Sequence, residues 1–172
     1  MYKIAFYVFF GFVMISWLRA QPVEEKIEEQ ITKLFVYTDE HRWDDVKALF
    51  AGQVWLDYSS FTGIEAATMT PEQLIDGWSG FLPGFKSTHH QVSNYLVDID
   101  DRRARLTCYG TASHYFPTES GNDVWIVVGT YDFGLTETEE GWKIDRMIFY
   151  FKYQDGNTDL PNLISSKSGE TK

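Results

Sequence analysis

Four side chains in this 172-residue sequence have the types that metal-free proton transfer needs: Asp39, His90, His114 and Tyr58. Asp39 ends a stripe of Ile27, Ile31, Leu34, Phe35 and Thr38 at helical spacing, which places it on the buried edge of a helix and at its C-terminus. Partial burial and the negative end of the helix dipole both predict a raised pKa, suited to proton handling. The alternative is a solvated acid at a fraying helix end. His114 sits on a strand whose alternate residues read Ala104, Leu106, Cys108, Gly110, Ala112, His114 and Phe116, so it points to a small, apolar face. It is a cavity histidine or a core histidine satisfied by a neighbour. His89 and His90 are adjacent on another strand and face opposite ways. His90 is the one expected inward, on the face of Val92, Asn94 and Leu96.

Tyr58 follows Val54 and Leu56 at a spacing of two, which turns its ring inward and leaves its hydroxyl seeking a partner. Thr38, Asn94, Phe116 and Trp55, close in sequence to these four, complete the expected substrate-binding set. Two histidines and an acid can in principle hold zinc, but their spacing matches no metal motif. The sequence has no glycine-rich phosphate loop, nucleophile elbow or paired-cysteine motif. No metal and no cofactor is expected.

The elements that must position these residues follow from periodicity. Pro22-Val23-Glu24-Glu25 opens the helix that carries Asp39, and a short helix covers Trp43–Phe50. Gln53–Ser59 reads as a strand and residues 60–70 as a loop. Thr70-Pro71-Glu72-Gln73 starts a helix that runs to about Phe81. Four long strands follow, at 86–99, 102–116, 123–138 and 142–154, with turns at Asp100-Asp101 and Glu139-Glu140-Gly141. Residues 155–172 are polar and read as a loose tail. Helices set apart from a strongly curved antiparallel sheet make an α+β domain spanning 21–154.

Composition narrows the partners. Lys and Arg total 15 against 25 Asp and Glu, and no basic stripe exists to displace phosphate counterions, so nucleic acid is excluded. A single cysteine, Cys108, excludes an internal disulfide framework. Between Lys3 and Arg19 lie 15 uncharged residues, Ile4–Leu18. As a helix they span about 22 Å, short of the roughly 30 Å of a bilayer core. With the basic start and Ala20, residues 1–20 read as a secretory signal peptide, an uncleaved anchor being the alternative. Cleavage after Ala20 removes Lys3 and Arg19 but no acid, taking the net charge from −10 to −12. No stable membrane association is then expected, and the remaining aromatics read as the wall of an apolar cone.

Tyr37-Thr38-Asp39-Glu40-His41-Arg42-Trp43, Thr88-His89-His90-Gln91-Val92-Ser93-Asn94 and Gly141-Trp142-Lys143-Ile144, in this order, resemble the SnoaL-like branch of the nuclear transport factor 2-like superfamily. The resemblance covers about residues 23–154 and implies a cone-shaped barrel wrapped on N-terminal helices. Within that superfamily the chain is similar to the scytalone dehydratases. Asp39 to Trp43 matches the Asp-x-x-x-Trp of their catalytic acid. Leu56-Asp57-Tyr58-Ser59-Ser60-Phe61 is similar to their tyrosine segment, and His90 and His114 fall on their two active-site histidines. The resemblance implies that Asp39 orients His114, that Tyr58 holds a carbonyl oxygen, and that His90 is the general acid or base. It departs at Thr38, where that enzyme has tyrosine, and past Trp142, where its substrate-closing tail has no match. The function expected is a cofactor-independent lyase or isomerase on a small cyclic hydrophobic carbonyl compound. A non-catalytic module binding an apolar molecule and a structural, dimerising domain with a filled barrel are the alternatives. A homodimer is expected by analogy.

Overall fold

The computed structural model describes residues 21–169; the expected signal peptide, residues 1–20, lies outside them. Helix α1 (Val23–Asp39) buries the predicted stripe: Ile27, Ile31, Leu34, Phe35 and Thr38. Helix α2 (Trp43–Ala48) follows after a sharp turn in which His41 takes a positive φ of 55°. Strand β1 (Phe50–Asp57) leads into a single helical turn, α3 (Ser59–Thr62), then a short strand β2 (Ala67–Met69). Helix α4 (Pro71–Phe81) begins as its sequence requires. Thr70 Oγ1 accepts from the Gln73 N–H, and the Gln73 side chain accepts from the Thr70 N–H. A 3₁₀ turn (Leu82–Gly84) then feeds the long strands β3 (Ser87–Asp100), β4 (Arg103–Tyr115), β5 (Val124–Thr138) and β6 (Gly141–Gly156).

The α+β class stands, and the four long strands lie close to their expected bounds. The sheet itself is six-stranded and mixed, in the order β2-β1-β6-β5-β4-β3, and it is not closed. The expected all-antiparallel pairing is corrected at one seam, because β1 runs parallel to β6, with Leu56 opposite Met147. The chain leaves β1 through α3, β2 and α4, and returns to its side only after β3, β4 and β5. The tail is also corrected. After Gly156 comes helix α5 (Leu160–Gly169), with Leu160 and Ile164 buried in the core. The Ile164 side chain occupies the space over Gly84, where a Cβ would lie 2.2 Å from Cγ2.

The core lies between the α1 stripe and the inner faces of β4, β5 and β6. Two paired glycines shape it, Gly110 on β4 and Gly129 on β5. A Cβ at Gly110 would stand 2.3 Å from the Tyr131 ring, and one at Gly129 would stand 2.3 Å from the Phe149 ring. Each glycine therefore lets a ring from the next strand lie flat across the sheet. Strand β3 carries a bulge between Ser93 and Leu96, with Asn94 at φ 60°. The bulge reverses which residues face in. Before it, Thr88, His90 and Val92 are turned to the core; after it, Tyr95 and Val97 are.

Candidate active site

Asp39, the last residue of α1, meets the start of β3. Its Oδ1 accepts from the Thr88 hydroxyl at 2.8 Å and pairs with His90 Nδ1 at 2.7 Å. Its Oδ2 accepts from the His90 N–H at 2.7 Å. The His90 and Asp39 side chains are 12% and 16% exposed, so the pair is shielded yet reachable. Burial pushes the Asp39 pKa up. The ring, charge and main-chain N–H of His90 and the Thr88 hydroxyl more than offset it, leaving Asp39 below the usual carboxylate range. This corrects the expectation of a raised value: Asp39 is a fixed carboxylate, not a proton carrier. It also corrects the expected partner. Asp39 holds His90, not His114, because α1 ends beside β3, the edge strand, with β4 one strand further in.

With Nδ1 tied to Asp39, His90 keeps Nε2 for chemistry. Its ring stacks on Phe35 with centroids 5.4 Å apart, and the His114 ring lies edge-on at 5.9 Å. His114 stands directly across from Thr88 on β4 and packs against Trp125 at 4.4 Å and Phe85 at 4.9 Å. It is 5% exposed, and its Nδ1 has no hydrogen-bond partner among the described residues. Burial, then the nearby His90, lower its pKa to about 4, although the Trp125 main chain and Asp39 pull the other way. His114 is therefore a neutral imidazole at pH 7.

These groups border a cavity of about 160 Å³ under α4 and the 3₁₀ turn. His90, His114, Tyr58 and Thr38 line it. Tyr58 reaches it from a different element than predicted. It precedes α3 in place of extending β1, and its ring stacks on Phe149 at 5.5 Å. Its hydroxyl lies 3.9 Å from Met147 Sδ and interacts with the Tyr131 hydroxyl. Burial keeps both phenols protonated, far above their ordinary range. The Thr38 hydroxyl is spent on the Leu34 carbonyl at 2.7 Å, so Thr38 offers the cavity only its apolar part.

Three of the expected substrate-binding residues are elsewhere. Asn94 is exposed at the bulge, because the bulge carries it off the His90 face. Trp55 is 43% exposed on the outer face of the sheet, since Val54 and Leu56 take the inner positions of β1. Phe116 packs against the core beyond the cavity wall. Conversely, sequence reasoning passed over Thr88 and Tyr131. Thr88 was accessible as the residue two before His90 on the same strand face. Tyr131 was accessible from the inward row Gly129, Tyr131, Phe133 and Leu135.

The fold has close solved relatives. A protein of Kribbella flavida superposes with a TM-score of 0.76 at 25% identity, covering 80% of this chain and 95% of its own. A candidate scytalone dehydratase of Novosphingobium aromaticivorans gives a TM-score of 0.65 at 21% identity, covering 77% and 87%. A hexachlorocyclohexane dehydrochlorinase, LinA type 2, gives 0.63 at 13%, covering 78% and 90%. No protein of curated function matches the sequence. Structural neighbours of the nuclear transport factor 2-like kind share this α+β layout, and proteins named as dehydratases and a dehydrochlorinase are among the neighbours. Residues 21–148 match the SnoaL-like domain family, and the chain belongs to that family.

Proposed function

We propose that the protein is a cofactor-independent lyase or isomerase that removes a proton next to a carbonyl in a small cyclic, hydrophobic compound. The observation that carries this reading is the Asp39–His90 pair at the edge of an aromatic cavity. The ionised Asp39 fixes the tautomer of His90 and stabilises the imidazolium that forms when Nε2 takes a proton. Tyr58, held protonated by burial, donates to the developing enolate oxygen. In an elimination, the carbon–oxygen bond beta to the carbonyl then breaks. The proton on His90 passes to the departing hydroxyl, which leaves as water. Neutral His114 orients that hydroxyl.

The test is conversion of 3-hydroxycyclohexanone to 2-cyclohexenone and water, followed by ultraviolet absorbance of the enone. Asp39→Asn and His90→Gln are each expected to lower the rate by about 100-fold or more. Unchanged rates in both variants overturn the assignment. If no turnover is seen while a ring compound still binds, the domain is a binding module.

We also propose that the chain is exported by residues 1–20 and pairs with a second copy across the outer sheet face. Support for pairing comes from Trp55, Tyr109, Tyr150 and Tyr153, all half exposed there beside Arg105 and Arg146. Tyrosine, tryptophan and arginine are the residues enriched at interfaces. Expression from the full sequence should give an exported product beginning at Gln21, with a light-scattering mass of two copies. Tyr109→Glu should yield single copies. A retained leader counts against export, and a wild-type monomer counts against pairing.

A further inference from the structure

Four observations on the cavity have a common implication. Its volume, about 160 Å³, is close to that of a dry cavity known to take one benzene ring, roughly 150 Å³. None of the residues lining it is Lys, Arg, Asp or Glu, so a carboxylate or phosphate would lose its hydration with no lysine or arginine to pair with, and His90 already has Asp39 as its counter-charge. Flat rings wall it: Phe35, Phe149 and Trp125 among them. The fourth observation is Tyr131, 6% exposed and packed on Phe35 at 5.0 Å and Phe149 at 4.7 Å. Its ring lies where a Gly110 side chain would be. Tyr58 lines the same cavity, so two phenol groups border it.

We propose that Tyr131 is the specificity-determining residue of this cavity: seated on Gly110, it limits the occupant to one neutral six-membered ring and, with Tyr58, binds that ring's oxygen. The proposal rests on the reading of this cavity as the working site and names its substrate class. A fused two-ring molecule needs the space that the Tyr131 ring fills. A ring without oxygen leaves the hydroxyl pair without an added partner.

Binding of phenol, toluene and 1-naphthol to the purified protein, measured by isothermal titration calorimetry, tests it without reference to catalysis. The wild type should bind phenol more tightly than toluene and exclude 1-naphthol. Tyr131→Phe should weaken phenol about fivefold and leave toluene unchanged, the loss of one hydrogen bond. Tyr131→Ala should admit 1-naphthol with a gain of about tenfold or more, since a ring-sized space opens. Tyr131→Leu supplies the same comparison if Y131A does not fold. Wild-type binding of 1-naphthol as tight as phenol overturns the proposal. So does binding of none of the three, or a phenol-to-toluene ratio unmoved in Y131F. If the ring selectivity holds while 3-hydroxycyclohexanone is not converted, the catalytic reading fails and this one stands. If conversion depends on Asp39 but selectivity ignores Tyr131, the reverse is true.

Discussion

His114 was legible as an inward histidine from the alternation of small residues on its strand, but its state was not. What lowers its pKa to about 4 is the packing of Trp125 and Phe85 and the closeness of His90, all set by tertiary structure. The consequence is a pH-dependent stability. In the unfolded chain an imidazole titrates near 6.5, so as the pH falls the unfolded state takes up the proton first. Stability is therefore lost from about pH 6.5 downward, and the loss levels off below about 4. Between pH 7.5 and pH 5 this one group should cost about 2 kcal/mol. Urea unfolding at the two pH values measures it, and His114→Phe should remove most of the difference. A wild-type stability that rises toward pH 5 would contradict the assigned state. The Asp39 partner was equally hidden, because no periodicity says where the end of α1 lands along β3. Only the side chain's polarity and its place on the stripe could be read.

At the scale of elements, what was readable was local. The α1 stripe, the Thr70 capping box and the long alternating strands each carry their signal within a few residues. The parallel seam of β1 and β6 carries none, since it joins segments some 90 residues apart. Helix α5 was missed for another reason. Among its described side chains the buried ones are Leu160 and Ile164, four residues apart in a polar stretch, too few positions for a period to show. That thin anchorage makes each contact count. Leu160→Ala should lower unfolding stability by about 2–4 kcal/mol, as for a fully buried leucine. The change is to be read by denaturant titration, and a loss under 0.5 kcal/mol would mean that α5 does not pack as described. The same truncation bears on the cavity, because Ile164 braces Gly84 and the adjacent Leu82 is part of the cavity wall.

Across the whole molecule, charge and chemistry are kept apart. The acids that give the net charge of −10 lie mostly on exposed helices and turns. Asp132 is the exception at 1% exposure, but it sits on the outer face and is held by both Arg105 and Arg146. The inner face keeps one ionised acid near the cavity, Asp39, and places it behind His90. On the proposed reading of the cavity, such an interior favours neutral occupants. Of the 22 aromatics expected to wall an apolar cone, eight line the cavity, while Trp55, Tyr109, Tyr150 and Tyr153 lie exposed on the outer face, and the sheet stays open at β2 and β3.

The bulge at Asn94 gives β3 two halves that are out of phase with each other. Ahead of it the strand serves His90 and Thr88; behind it the strand serves the fit of Tyr95 and Val97 against the core. A residue gained or lost beyond Asn94 would shift the second half by one step and leave the first untouched. The bulge therefore works as a joint: a slip in the β3–β4 hairpin would turn Tyr95 and Val97 off the core, while His90 and Thr88 keep their face.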